Sequence, residues 1–168
     1  MERIDEINTV GQVLAVRTKQ EWREEFFLHK AALVIPRGPN GTYLLAMRAA
    51  TKKPFPGVWV CGVGGTCASD ESFLETAQRE MKEEIGVRAE LTVVNTFLHD
   101  DEYMRALFRI FTTIDPLDPT ELVIDETEIA YLQAFSLDEL RELITERPET
   151  CAPTAVTAIR SFLLGLLE

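Results

Sequence analysis

Apolar residues recur along the chain with two periods, and the switch between them lays out alternating strands and helices. Residues 3 to 16 alternate around Ile4, Ile7, Val10, Val13 and Leu14, with Gly11 between two short runs. This predicts an N-terminal hairpin. KQEWREEFF, 19 to 27, reads as a short helix. AALVI (31 to 35) and YLLAMRA (43 to 49) read as strands joined by the turn-rich RGPNGT. VWVCGVGG, 58 to 65, reads as a short strand running into a glycine loop. A helix over 73 to 85 is the best-marked element. Ser72 and Glu75 form a capping box, and Leu74, Ala77, Met81 and Ile85 make an apolar stripe. Gly86 supplies the C-terminal cap. Two β-rich runs follow, 88 to 98 and 103 to 114, then the turn DPLDPT and a strand over 128 to 135. Ser136 and Glu139 cap a helix through Leu143, and Val156, Ile159, Phe162, Leu163 and Leu166 mark a last amphipathic helix. Interleaved strands and helices predict an α/β domain with a sheet between helices.

Composition narrows the picture. The chain has 168 residues, enough for one domain with a real core, so 1 to 168 reads as a single domain with 1 to 28 as an extension. No apolar run approaches the roughly 18 residues of a membrane span. The charged start, MERIDEINTVGQ, lacks the apolar stretch of a signal peptide, so a cytoplasmic protein with no membrane partner is expected. Cys61, Cys67 and Cys151 form no even framework and read as free thiols. The formal net charge of -11 argues against nucleic acid as a partner, because phosphate backbones need basic surfaces. A small phosphorylated ligand stays compatible if divalent cations sit between the two sets of negative charge.

The segment from Gly65 to Val87, GTCASDESFLETAQREMKEEIGV, carries the chemistry. On a helix, Glu80, Glu83 and Glu84 share one face within an arc of about 100°. Such crowding costs a few tenths of a kcal/mol per exposed pair. A hard dication reverses that penalty, since magnesium and manganese prefer oxygen ligands. A solvated charged face is the plain alternative for these residues taken alone.

The segment resembles the Nudix box, G-x5-E-x7-R-E-U-x-E-E-x-G-U. Gly65, Glu71, Arg79, Glu80, Met81, Glu83, Glu84, Gly86 and Val87 occupy its positions without departure. The resemblance implies a Nudix-type α/β/α sandwich with a mixed central sheet, here with an N-terminal β-hairpin extension. It also implies Mg2+ (or Mn2+) as cofactor and hydrolysis of a pyrophosphate bond by metal-activated water. Glu80 and Glu84 become the first metal ligands, Glu83 the next, and the Gly65 carbonyl a further one, with that of Gly64 as its neighbouring alternative. Glu83, Glu80 and Arg79 are the catalytic candidates. Glu71 is structural, paired with Arg79, and Gly86 is structural at the helix end. The family leaves the general base open among Glu83, Asp101, Glu102, Glu126 and Glu128.

Upstream, Arg48, Lys52 and Lys53 precede PFPGVW in a pattern similar to the Nudix-fold isopentenyl-diphosphate isomerase. There such cations hold the diphosphate, and the charge chemistry agrees. The departures are specific. Gly64 and Thr66 stand where the isomerase has its cysteine and histidine, Cys61 and Cys67 are out of register, and YMRALFRIF lacks its acidic pair. Hydrolysis is therefore expected over isomerisation. An isomerase-like enzyme and a non-catalytic nucleotide-binding module are the alternatives. His29 is a minor metal-ligand candidate, and His99 a minor pocket candidate. Trp59 and Phe55 are candidates for stacking on a base or isoprenoid, with core packing the commoner role. Nucleoside di- or triphosphates, nucleotide sugars, coenzyme derivatives and isoprenoid diphosphates all fit as substrates. A nucleoside diphosphate is the leaning. The possible homodimer is one through the hairpin.

Overall fold

A computed structural model describes residues 2–167. The N-terminal hairpin pairs β1 (Arg3–Ile7) with β2 (Val13–Thr18) in antiparallel register, with an irregularity between Glu6 and Ile7. Its apolar pattern buries only the first strand. Ile4 and Ile7 face the core, while Val10, Val13, Leu14 and Val16 are exposed. Helix α1 (Lys19–Glu25) begins at a Thr18–Glu21 capping box. It stops short of the expected Phe27, because Phe26 turns left-handed at φ 53° and caps it.

Four strands form a mixed sheet in the order β6-β3-β8-β7. These are β3 (His29–Val34), β6 (Val63–Thr66), β7 (Leu91–Asp100) and β8 (Arg105–Thr113). β3 and β8 run parallel and the other pairs antiparallel. Side-chain alternation on β3 makes the sheet two-sided. Ala32 and Val34 pack with Ala77, Met81 and Ile85 of α2 (Phe73–Ile85). Leu33 packs instead with Ile159 and Phe162 of α4 (Pro153–Gly165). On β8, Phe111 joins the first cluster and Ile110 the second. The sheet thus lies between helices, and the fold is an α/β/α sandwich.

A second antiparallel sheet, β5-β4-β9, was not foreseen as a separate unit. It contains β4 (Tyr43–Arg48), β5 (Trp59–Val60) and β9 (Ile129–Phe135). The run 58 to 65, expected as a short strand running into a glycine loop, instead contributes a strand to each sheet, because Gly64 and Gly65 lie within β6 and pair with β3. Its break is Gly62, at φ 38°, where a Cβ would collide with the Val34 carbonyl. Only glycine passes that point, so β5 ends in one sheet and β6 starts in the other. Helix α3 (Leu137–Glu146) runs a turn beyond the expected stop at Leu143 and packs beside α4.

Helix α2 carries the chemistry-bearing segment, so its anchoring matters. Ser72 caps the Glu75 N–H and Glu75 returns the bond, and Gly86 closes the far end at φ 74°. Met81 and Ile85 are fully buried. Truncating such a side chain to alanine costs about 2–5 kcal/mol. Leu74, expected in the apolar stripe, is exposed, and Thr76 is buried in its stead. Among the described residues, no helix is long and apolar enough to cross a membrane.

Candidate active site

The glycine strand β6 runs into the loop 67–72, and that loop delivers α2. Three anchors hold the loop. The Cys67 N–H donates to the Lys30 carbonyl at 2.9 Å, and the Ser69 N–H donates to the Arg3 carbonyl at 2.9 Å. The Ser69 hydroxyl donates to Asp5 Oδ1 at 2.6 Å, and Lys30 Nζ pairs with Asp5 Oδ2 at 2.9 Å. Asp5 is buried. The N-terminal hairpin is therefore bolted to the loop through a paired, hydrogen-bonded carboxylate.

Glu71 closes the loop onto the helix. Arg79 reaches it as a two-pronged fork, Nε to Oε1 at 2.7 Å and Nη2 to Oε2 at 3.0 Å. Glu71 Oε2 also accepts from the Thr76 hydroxyl at 2.9 Å and the Ala68 N–H at 3.2 Å. The Arg79 bonds, foremost, hold the Glu71 carboxyl down at about 2. The remaining Arg79 nitrogen, Nη1, donates to Glu80 Oε1 at 2.7 Å and to Glu83 Oε2 at 3.2 Å.

Glu80 is largely buried and Glu83 is exposed. Burial raises the Glu80 carboxyl above its ordinary range. Burial also raises Glu84, reinforced by the charges of Glu80 and Glu128. Gly65 faces Glu80, and a Cβ there would strike its carboxylate. The carboxylate thus lies against bare backbone. Among the described residues, no three His, Cys, Asp or Glu side chains converge on one point. In the rotamers present, Arg79 holds two of the three glutamates.

A polar cavity of about 590 Å3 gathers these groups. Gly64, Gly65 and Thr66 form one wall, and Arg79, Glu80, Glu83 and Glu84 line it from α2. Asp125 and Glu128 line it from the loop before β9, and Lys52 from the loop after β4. Lys52 Nζ pairs with Glu128 at 2.5 Å. Glu2 and Lys19 of the extension complete the lining, paired with each other at 2.8 Å. A second cavity, of about 200 Å3, shares Gly64, Gly65, Thr66 and Glu84 with the first. Arg48 lines this second cavity.

The other sequence candidates lie elsewhere. Lys53, Glu102 and Glu126 line neither cavity. Asp101 accepts the Tyr103 and Met104 N–H groups and bonds His99 Nε2 at 2.8 Å, closing its own turn. His99, a pocket candidate, is buried and lines neither cavity. His29 is fully buried, its ring pushed down to about 4 by burial and its Nε2 3.4 Å from the Thr66 hydroxyl. Trp59 packs edge-on against Tyr131 and Phe135, and Phe55 against Tyr103.

Three charged residues of the polar cavity escaped the sequence reading: Glu2, Lys19 and Asp125. The Asp125 N–H donates to the Glu84 carbonyl at 2.8 Å, and its carboxylate caps the Thr127 N–H. An Asp-x-Thr turn is a visible local signal. Nothing local marks Glu2 and Lys19, which reach the cavity only through the hairpin's docking.

The NUDIX domain profile matches residues 27–154. An uncharacterized Nudix hydrolase, YfcD of Salmonella typhi, is 27% identical over 160 residues, covering 94% of this chain and 83% of its own. The nucleoside triphosphatase NudI of Enterobacter sp. is 38% identical over 63 residues, covering 38% of this chain and 44% of its own. Among solved structures, DR0079 of Deinococcus radiodurans superposes with a TM-score of 0.78 at 17% identity, covering 95% of this chain and 98% of that one. With the profile spanning most of the chain and an undeparted box on its loop and helix, the chain belongs to the NUDIX family and is a pyrophosphohydrolase.

Proposed function

We propose that the protein hydrolyses a small organic diphosphate with Mg2+ or Mn2+ held by Glu80, Glu84, Glu83 and the Gly65 carbonyl. The observation that carries this reading is the crowding of Glu80 and Glu84 in one cavity, against a glycine that leaves room for a carboxylate. Like charges raised by burial are unfavourable alone and become favourable around a dication. The donors are all oxygen, which suits a hard ion. Bound there, a divalent cation supplies Lewis acidity and lowers the pKa of water.

The chain's own residues divide the remaining work. Arg79 fixes the loop through Glu71 and holds Glu80 and Glu83 on one side of the cavity. Lys52 and Lys19, each paired with a carboxylate, are cations within the cavity lining that can transfer to a diphosphate. Arg48 stands at the neighbouring cavity, where the organic end begins. Glu83 and Glu128 are the lining carboxylates available to take the proton from water. Water oxygen bonds to phosphorus, the bridging P–O bond breaks, and a monophosphate leaves with inorganic phosphate.

Hydrolysis is favoured over alkene isomerisation by the chain itself. Gly64 and Thr66 occupy the isomerase's cysteine and histidine positions, and Cys61 is buried with its thiol pushed up. A nucleotide is a second reading for the substrate, because the relative NudI is named a nucleoside triphosphatase.

The test is phosphate release from a panel of diphosphates with Mg2+, Mn2+ or chelator. Metal-dependent release that falls by about 10³-fold or more in Glu84→Gln supports the assignment. Full activity in that variant, or in chelator, defeats it.

A further inference from the structure

The smaller cavity differs in chemistry from the polar one it adjoins. Ala31, Leu33, Val60, Met104, Phe108 and Ala155 give it an almost wholly apolar lining. Its polar side chains are few, and two of them, Glu84 and Thr66, belong to the wall it shares with the phosphate-binding side. Arg48 already donates Nε–H to the Pro54 carbonyl at 3.1 Å. Cys61 faces the lining as a buried thiol whose weak bond goes to the Ala155 carbonyl at 3.8 Å. Reading a base edge needs convergent donors and acceptors, because a desolvated base left unpaired is penalised. Beyond the shared wall the lining offers only the Arg48 guanidinium and the Thr154 hydroxyl, a small set beside its apolar surface. Phe108 is the lining's aromatic ring, and one of its faces is already stacked on Phe97.

Volume gives the size of the guest. At roughly 30 Å3 per water-sized group, the cavity of about 200 Å3 admits about six or seven heavy atoms. That is fewer than a nucleoside carries and matches a short, branched or unbranched hydrocarbon group. A diphosphate lying in the polar cavity would pass its ester oxygen along the shared Gly64–Gly65–Thr66 wall, where glycine leaves the backbone bare.

We infer that the organic part of the substrate is a small hydrocarbon alcohol, and that the apolar cavity behind β6 is its subsite. This rests on the hydrolase reading above and narrows it. The reaction is R–O–PO2–O–PO3 plus water to R–O–PO3 plus orthophosphate, with one proton released to solvent. The bridging P–O bond breaks and the R–O bond stays intact.

The experiment uses the full chain with Mg2+ and a graded series: methyl, propyl, butyl, 3-methylbutyl and octyl diphosphates, with ADP and CDP alongside. Each methylene buried adds about fourfold in kcat/KM, from roughly 0.8 kcal/mol of transfer free energy. The expected rise from methyl to 3-methylbutyl is therefore about 10²-fold, followed by a plateau or fall at octyl once the cavity is full. Thr154→Phe, at the half-buried first turn of α4 that lines the cavity, should collapse the 3-methylbutyl-to-methyl ratio to below about fivefold, since the ring fills the space. A flat series in the wild type, or faster turnover of ADP or CDP, overturns the inference and leaves the hydrolase reading standing. If no diphosphate is cleaved at all, the hydrolase reading fails. Calorimetric binding of the same series then decides the subsite by itself: affinity rising with chain length supports it, and affinity independent of chain length overturns it.

Discussion

Replacing Glu84 with glutamine separates the cost of the site from its use. The Glu84 carboxyl is pushed up by burial first, then by the charges of Glu80 and Glu128. Glutamine keeps the shape and carries no charge in either state, so folding no longer has to neutralise or crowd a carboxylate that is ionised in the unfolded chain. Without metal, the variant should be more stable than the wild type by about 1–3 kcal/mol, the usual span for relieving a buried, imperfectly paired group. For a chain of 168 residues, each kcal/mol moves the melting temperature by about 2–4 °C. The metal-free variant should therefore melt about 2–12 °C higher. Saturating Mg2+ reverses the order. At one hundred times Kd, a ligand that binds only the folded state adds about 2.7 kcal/mol, or about 5–10 °C here. The variant, short of one ligand and one charge, should show less than a third of that shift. Scanning calorimetry of both proteins in chelator and in Mg2+ reads all four values. Two results refute the reasoning: a metal-free variant less stable than the wild type, or an undiminished metal shift in the variant.

Three further outcomes follow from the same geometry. Gly65→Ala sets a methyl group against the Glu80 carboxylate and should cut turnover about 10²-fold by displacing it, with melting little changed; steady-state kinetics beside calorimetry checks both. Glu71 is held down at about 2, below its unfolded value, so its contribution is complete above about pH 4.5 and is lost as pH falls toward 2. The destabilisation of Glu71→Gln, about 1–3 kcal/mol near neutrality after allowing for solvent screening, should therefore shrink over that window in urea titrations run at successive pH values. Asp5→Asn should cost about 1–3 kcal/mol, because Lys30 and the Ser69 hydroxyl both lose a charged partner. It should also raise the Mg2+ concentration for half-maximal activity, as read by a metal titration, since the loop leading to Glu71 loses its bolt.

Legibility from sequence followed the range of the interactions. Helix α2 was readable because Ser72, Glu75 and Gly86 act within one turn of themselves. Its apolar stripe was readable except at Leu74, where Thr76 took the buried place by donating to Glu71. The polar cavity was readable on the side contributed by the box. Its opposite side was not, because Lys19, Glu2 and Asp125 arrive from separate elements whose docking no local period encodes. Lys52 and Lys53 illustrate the limit at its smallest scale. The two are chemically alike neighbours, yet Lys52 pairs with Glu128 in the cavity lining and Lys53 lies outside it. The second sheet was missed for a related reason. A run such as 58 to 65 reads as one strand and a glycine loop until Gly62 is seen pressed against the Val34 carbonyl of β3, which turns the chain from one sheet into the other.

Strand β6 explains why these observations belong together. Its glycines are the shared wall of two cavities with opposite chemistry, one carboxylate-rich and one apolar. Each glycine is required by a different neighbour. Gly65 yields its side-chain space to Glu80 on the polar face. Gly64 yields its own to β3, since a Cβ there would press on the Ala32 carbonyl and come within 2.7 Å of a Leu33 methyl. Gly64 is also the position at which the isomerase-like pattern would carry a cysteine. Any side chain at that site has to push β3 away, because the obstacle is backbone and backbone in a packed sheet yields little. Two adjacent glycines thus do separate work: Gly64 keeps a side chain, a thiol included, out of the wall against β3, and Gly65 leaves the space that the Glu80 carboxylate occupies in the polar cavity.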